Sequence, residues 1–323
     1  MKKKKNWLFI LPLLLCGILM IIYSSLFVWR DDTTAPVITI ATEQIEVSVQ
    51  ADESELFAGV SALDDRDGDV TAAMVVEKIS NITDDHTATI TYAAFDKSGN
   101  VSKATRKVYY TDYTEPRFGL TRALVFQKGA SPDVLSYVTV EDMVDGDLSD
   151  KVKGTLISDT SSLSYAGLHQ IDFRVTNSMG ATVHLILPVD IYETGEYNAT
   201  VNLTEYLIYI KKGEAFQASD YLDKLTVSTL NYSLKGDDPE IALYTNGQLI
   251  VAPGNPGSTE NPGDAENPDD GSTGAIDYDD IIEIEVEIDD SVDTGVPGVY
   301  SVTYSVTMDR YKGFTRLNVV VEE

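Results

Sequence analysis

Cysteine is nearly missing from this chain of 323 residues: the single copy, Cys16, lies inside an apolar N-terminal run. No disulfide can close within the chain, and no thiolate metal site can form. Histidine is almost as scarce. His86, His169 and His184 share no spacing, so a metal or general-base role would need partners that the sequence does not bring together. There is no Gly-x-Ser-x-Gly, no paired-histidine zinc motif and no phosphate loop. Positive charge is the third shortage, with 24 basic against 52 acidic residues and a formal net charge of −28. Five of those basic residues, Lys2 to Lys5 and Arg30, fall in the first thirty positions, which hold no acid. The remaining chain is more acidic still, and such a surface repels phosphate backbones and anionic headgroups, which argues against nucleic-acid binding. After residue 30, no segment sustains a long amphipathic period of 3.6 residues.

What is present begins with an address. Lys2 to Lys5 precede an uncharged run from Trp7 to Trp29. As a helix this run would reach about 35 Å, against a bilayer core of roughly 30 Å. Trp7, Tyr23 and Trp29 stand near its ends, where aromatic rings favour the interface, and Asp31 and Asp32 follow it. The pattern predicts a short cytoplasmic tail at 1–6 and an uncleaved, single-pass signal-anchor at 7–29, with everything beyond it outside the cytoplasm. Tyr23-Ser24-Ser25 is a poor cleavage site. Leu13-Leu14-Leu15-Cys16 lacks the small residue that a lipoprotein signal sets before its cysteine.

The chain also repeats itself. Thr34-Ala35-Pro36-Val37 aligns with Thr114-Glu115-Pro116-Arg117, and Asp67-Gly68-Asp69-Val70-Thr71 aligns with Asp145-Gly146-Asp147-Leu148-Ser149. Ile90 to Asp96 then aligns with Ile171 to Asn177. Three landmarks in one order, about 80 residues apart, indicate a diverged duplication. Gly298 to Val306 repeats the alternation of Gly167 to Val175, which marks a weaker third copy. Ile45 to Val49, Arg106 to Tyr110 and Ile282 to Ile288 alternate with a period of two, as half-buried strands do. Units of this length, built from short alternating strands and turns such as Lys97-Ser98-Gly99-Asn100, predict antiparallel β-sandwiches at 35–112, 114–193 and 195–323. From about 252 to 275 the chain is Gly, Pro, Asn, Asp, Glu, Ser and Thr with nothing apolar larger than alanine. That composition predicts a disordered insertion in the third unit. The short linkers predict a semi-extended rod.

The order Ala35-Pro36-Val37-Ile38, Gly59 to Asp64, Asp67 to Thr71 and Tyr92 to Asn100 resembles bacterial surface Ig-like domains. These are of the hyalin-repeat-like type, also found appended to pesticidal crystal proteins. The resemblance is good over 35–111, fair over 114–192 and thin over 195–323. It implies tandem Ig-like sandwiches in a cell-surface protein, used for adhesion or spacing, with no catalytic residues to carry over. The second copy departs from the pattern at Met143-Val144 and at Asn177, which replaces the late aspartate.

Two readings compete for the acidic turns, Asp64, Asp67 and Asp69 in the first copy and Asp142, Asp145 and Asp147 in the second. They are either turn formers whose carboxylates accept backbone N–H groups, or ligands of a shallow calcium site. An EF-hand is excluded, because its first and twelfth ligand positions would fall on Leu63 and Met74. The turn reading is preferred, and no cofactor is expected. Of the 18 tyrosines, Tyr197, Tyr206, Tyr209, Tyr221, Tyr232 and Tyr244 crowd into the third unit, where an aromatic binding face competes with core packing. The sequence as a whole predicts an all-β protein behind one transmembrane helix. Its expected work is display and binding of an outside protein or carbohydrate, without catalysis. The alternatives are a structural subunit of an envelope complex and an envelope enzyme with an unrecognised C-terminal catalytic domain.

Overall fold

The computed structural model describes residues 7–28, 32–157, 162–238, 240–252 and 281–323. Helix α1 covers Trp7–Val28 and carries Pro12 in its first turns. Its side chains are described only over 12–24, and among the described residues no helix is long and apolar enough to cross a membrane. The expected tail at 1–6 and nearly all of the expected insertion at 252–275 lie outside the described residues. Among the described residues every other regular element is a strand or a short 3₁₀ segment.

Seven strands make the first sandwich: β1 (Val37–Ile40), β2 (Gln44–Val47), β3 (Val60–Asp64), β4 (Gly68–Asp69), β5 (Val75–Ile79), β6 (Thr87–Phe95) and β7 (Val101–Tyr110). They form two sheets, β1-β3-β4 and β2-β7-β6-β5. The second sandwich repeats this order with β8 (Arg117–Leu120), β9 (Val125–Gln127), β10 (Val138–Asp142), β11 (Gly146–Asp147), β12 (Lys153–Leu156), β13 (Gly167–Thr176) and β14 (Thr182–Tyr192). Its sheets are β8-β10-β11 and β9-β14-β13-β12, strand for strand those of the first. The duplication read from three landmarks is therefore a duplication of topology.

The third sandwich keeps the plan and adds to it. Strands β15 (Thr200–Leu203), β17 (Leu222–Val227) and β18 (Leu230–Ser233) form the smaller sheet. The larger contains β16 (Leu207–Lys211), β19 (Ile241–Thr245), β20 (Gln248–Val251), β21 (Ile282–Asp290), β22 (Gly298–Met308) and β23 (Tyr311–Glu322), in the order β16-β23-β22-β21-β19-β20. Among the described residues the hairpin β19-β20 has no counterpart in the other two sandwiches, and it precedes the residues of the predicted insertion.

Four strand pairs depart from the purely antiparallel expectation, one of them β19 with β21 in the third sandwich. Strands β2, β9 and β16 each run parallel to the last strand of their own sandwich. The reason is local. The entry segment pairs first in one sheet, then crosses within a few residues to the other without reversing, so it must lie parallel to the closing strand. This crossing also covers the edge of the larger sheet.

The cores follow from alternation. In β6, Ala88, Ile90, Tyr92 and Ala94 point inward; in β13, His169, Ile171, Phe173 and Val175; in β22, Val302, Tyr304, Val306 and Met308. Each fully buried Ile, Leu or Phe contributes about 1.5–3 kcal/mol of transfer free energy. The chain divides into two compact units, Met1–Tyr113 with Met179–Ala181, and Thr114–Ser178 with Thr182–Glu323. The second and third sandwiches therefore belong to one body.

Candidate functional site

The acidic turns of the two copies share one backbone form. Gly68 and Gly146 both adopt positive φ, +75° and +71°, which glycine tolerates without a Cβ clash. Oδ1 of Asp64 accepts the N–H groups of Arg66 (2.9 Å) and Asp67 (2.8 Å), and Oδ1 of Asp142 accepts those of Val144 (2.9 Å) and Asp145 (2.7 Å). All six singled-out aspartates accept hydrogen bonds from N–H or hydroxyl donors. Asp69 accepts the N–H of Thr71, and Asp147 that of Ser149. Asp67 accepts the N–H of Lys97, whose ammonium lies 3.3 Å from it. Asp145 holds both the N–H and the hydroxyl of Ser178, and those bonds keep its carboxyl below the usual aspartate range.

Asp64 is placed differently. Together with Asp32 and Asp96 it forms the one group of three or more potential metal-ligating side chains among the described residues, with an oxygen from each within 4.8 Å of the others. Asp64 and Asp96 are 7% and 8% exposed. Asp32 lies just before β1, Asp64 ends β3, and Asp96 follows β6, so three separate chain segments meet at one tip of the first sandwich. Each carboxylate is anchored by one hydrogen-bonding arrangement. Asp32 accepts the N–H of Thr34, and Asp96 accepts both the N–H (2.7 Å) and the Nδ2 amide (2.6 Å) of Asn100. The same amide donates to the backbone oxygen of Asp32 at 3.0 Å, tying the entry segment to the β6-β7 turn. Burial raises the pKa of Asp96, but donation from Asn100, Gly99 and Ser98 outweighs it and holds the carboxyl below its ordinary value. Oδ2 of Asp64 and Oδ2 of Asp32 are buried with no hydrogen-bond donor.

The second copy supplies a donor at the corresponding aspartate oxygen. Asn177 stands at the place of Asp96, and its amide donates to Oδ2 of Asp142 at 3.1 Å. Ala181 stands at the place of Asn100. Asp112, at the place of Asp32, accepts the Ser48 hydroxyl and the Val49 N–H.

A different kind of site lies in the other compact unit, where the second and third sandwiches meet. Arg316 on β23 donates from Nε and Nη2 to the two oxygens of Asp190 on β14, at 2.7 and 2.9 Å. Arg117 on β8 grips both oxygens of Glu322 and lies over the Tyr209 ring at 4.7 Å. The Tyr209 hydroxyl accepts the N–H of Phe118, and burial pushes its pKa up to about 12. Beside these contacts is a cleft of about 350 Å³, walled by Tyr192, Tyr197, Tyr206 and Phe314 with Arg122 and Asn202 at its polar side. Tyr197 packs edge-on against Tyr192 and stacks on Phe314, at 5.3 and 5.5 Å between ring centroids.

The histidines do not converge. His86 packs on Tyr109 and Tyr113, buried His169 meets the Tyr165 carbonyl through Nε2, and His184 lies 3.5 Å from Asp172.

Comparison with known proteins adds no family. No family model matches this chain. An uncharacterized 81.3 kDa protein of Acholeplasma phage L2 is 30% identical over 103 residues, which are 31% of this chain and 13% of that protein. The chain therefore spans only about an eighth of the length of the phage protein it matches. Among solved structures, the CBM51-2 domain of Clostridium perfringens ZmpB, in complex with GlcNAc and with INT domains, matches at 15% identity and a TM-score of 0.20, over 52% of this chain and 32% of that one. Human CDH23 EC21-23 matches at 12% identity and a TM-score of 0.21, over 89% of this chain and 100% of its own. Neither assigns a ligand here.

Sequence reasoning reached Asp64 but missed Asp32 and Asp96. Asp32 reads there as a charge after the apolar run, and Asp96 as part of a strand-turn landmark. The signal that could have joined them is the duplication itself, since the exchange of Asp96 for Asn177 alters a charge inside an otherwise matched landmark. Arg106 was missed too. It is 3% exposed and donates to the carbonyls of Leu56 and Ala58.

Proposed function

We propose that the chain is a non-catalytic, membrane-anchored protein of the bacterial cell surface, whose Ig-like sandwiches space and present a carbohydrate-binding cleft. The anchor rests on the uncharged run Trp7 to Trp29 and the lysines before it. The observation that carries the binding role is the cleft between the second and third sandwiches. Three aromatic rings pack together there beside an arginine and an asparagine, within a volume that suits one or two sugar rings. Sugars present both an apolar ring face and hydroxyls, and this wall offers partners for each. The ion pairs Arg316–Asp190 and Arg117–Glu322 hold the two sandwiches that form it, so the cleft is preorganised.

A glycan array probed with the full chain tests this reading. Binding to a defined glycan class, reduced at least tenfold by Tyr197→Ala and retained by Tyr109→Ala in the first sandwich, is the expected outcome. Equal binding by both variants would remove the cleft from the proposal. Capture of a protein partner with no glycan binding would replace the carbohydrate reading with a protein one.

A further inference from the structure

We propose that Asp32, Asp64 and Asp96 form a calcium site at the entry tip of the first sandwich, and that the second sandwich has lost the matching site through Asn177. The inference does not depend on the carbohydrate-binding reading.

Acidic residues crowd this chain, so their proximity alone says little. The decisive observation is Oδ2 of Asp64. Asp64 is more than nine-tenths buried, its Oδ1 is engaged by two backbone N–H groups, and its Oδ2 has no donor. A buried carboxylate oxygen without a partner is costly, and two further carboxylates beside it increase that cost. Oδ2 of Asp32 is stranded in the same way. A cation between them supplies what the protein lacks.

The donor set selects its class. Three carboxylates with only oxygen to offer suit a hard cation and not zinc or copper. Calcium binds oxygens at about 2.3–2.6 Å, so two ligands of one ion lie up to about 5 Å apart, which accommodates three oxygens all within 4.8 Å of one another. Magnesium demands a shorter, near-octahedral shell and usually retains several waters. Calcium tolerates an irregular set of carboxylates drawn from separate segments.

The second copy serves as an internal control. There the fold, the turn and the Oδ1 contacts of the first aspartate are all retained. The residue facing Oδ2 is Asn177, and its amide donates to the oxygen that is orphaned in the first copy. A neutral donor does in one sandwich what an ion would do in the other.

The consequence is mechanical. Asp32 precedes β1, whereas Asp64 and Asp96 belong to the body of the sandwich. An ion shared by all three pins the segment that enters the sandwich to its tip, reinforcing the Asn100 amide that already bridges to the Asp32 carbonyl. Calcium outside the cell would then stiffen the junction between the N-terminal segment and the first sandwich.

The test is calorimetric titration of the calcium-stripped full chain with calcium chloride at constant ionic strength. One ion per chain should bind, with a dissociation constant on the order of 10⁻⁴–10⁻³ M, as in other extracellular oxygen sites. Asp64→Asn and Asp96→Asn should each weaken binding at least tenfold, while Asp145→Ala in the second sandwich should leave it unchanged. Asp96→Asn copies the arrangement at Asn177, so it should fold normally by circular dichroism. Without calcium it should also melt no lower than the parent. Absence of bound calcium, or binding that survives Asp96→Asn, would overturn the proposal. So would a melting shift that sodium chloride of equal ionic strength reproduces. Equal binding of magnesium would overturn the choice of calcium.

Discussion

At the scale of single residues, the three sandwiches solve one problem in different ways. Tyr92, Phe173 and Tyr304 occupy the same inward position of the central strand, and all three are fully buried. The Tyr304 hydroxyl donates to the Ala218 carbonyl at 2.8 Å, and burial raises its pKa far above neutrality, so it remains a donor at every physiological pH. The Tyr92 hydroxyl donates to the Leu56 carbonyl at 2.5 Å, but that carbonyl also receives Nη2 of Arg106 at 2.9 Å. In the other sandwiches Leu187 and Leu317 stand opposite the strand position that faces Arg106 in the first. Tyr304→Phe should therefore cost about 1–1.5 kcal/mol and Tyr92→Phe no more than about half as much, because the Leu56 carbonyl keeps a charged donor. Urea unfolding midpoints of the two variants measure the difference. Equal losses would show that Arg106 does not compensate.

At the scale of elements, the turns between β3 and β4 and between β10 and β11 are held by carboxylates that accept N–H and hydroxyl groups. Asp145 accepts the hydroxyl and N–H of Ser178, and these bonds lower its pKa, with Lys151 adding a smaller electrostatic contribution. A carboxyl lowered in the folded state contributes stability that is complete above its unfolded value of about 3.9 and is lost as the pH falls through the folded value. Neutral and mildly acidic conditions should thus leave this turn intact, and loosening should begin only below about pH 4. Ser178→Ala removes the largest cause of the shift. Carboxyl carbon shifts followed by NMR should then show Asp145 titrating closer to the ordinary aspartate value. An unchanged titration would mean that the hydroxyl bond does not set it. This local design was legible in part, because Asp-Gly-Asp reads as a turn from sequence alone. The donors Lys97 and Ser178 were not, because each reaches its turn from a different strand connection more than two dozen residues away.

At the scale of the whole molecule, the compact unit Thr114–Ser178 with Thr182–Glu323 holds the two sandwiches that the sequence divides at 114–193 and 195–323. Leu207 on β16 of the third sandwich is buried in the core of the second, and Tyr209 and Val320 pack against the same cluster. Asp190 and Arg316 add a charge-assisted pair whose side chains are only 17% and 13% exposed. Such a pair, largely withdrawn from water, couples more strongly than a surface bridge. A double-mutant cycle with Asp190→Ala and Arg316→Ala, read from the unfolding of this unit, should give a coupling of about 1–3 kcal/mol. A coupling near zero would show that apolar packing alone joins the two sandwiches.

The sequence by itself determined the strands, their alternation, the tandem plan and the shared turns. Those features arise from residues near one another in the chain: a period of two places one face inward, and a glycine with positive φ closes a turn wherever it occurs. Only the tertiary structure decided that β2, β9 and β16 run parallel to their closing strands, and that the second and third sandwiches share a junction. It alone brought Asp32, Asp64 and Asp96 to one point. These outcomes depend on which segments meet after the sheets have stacked. In the sequence the exchange of Asp96 for Asn177 shows only as a departure from the repeat. The chemical difference between them, one a second charge and the other a donor, acts only once a buried carboxylate lies within hydrogen-bonding distance.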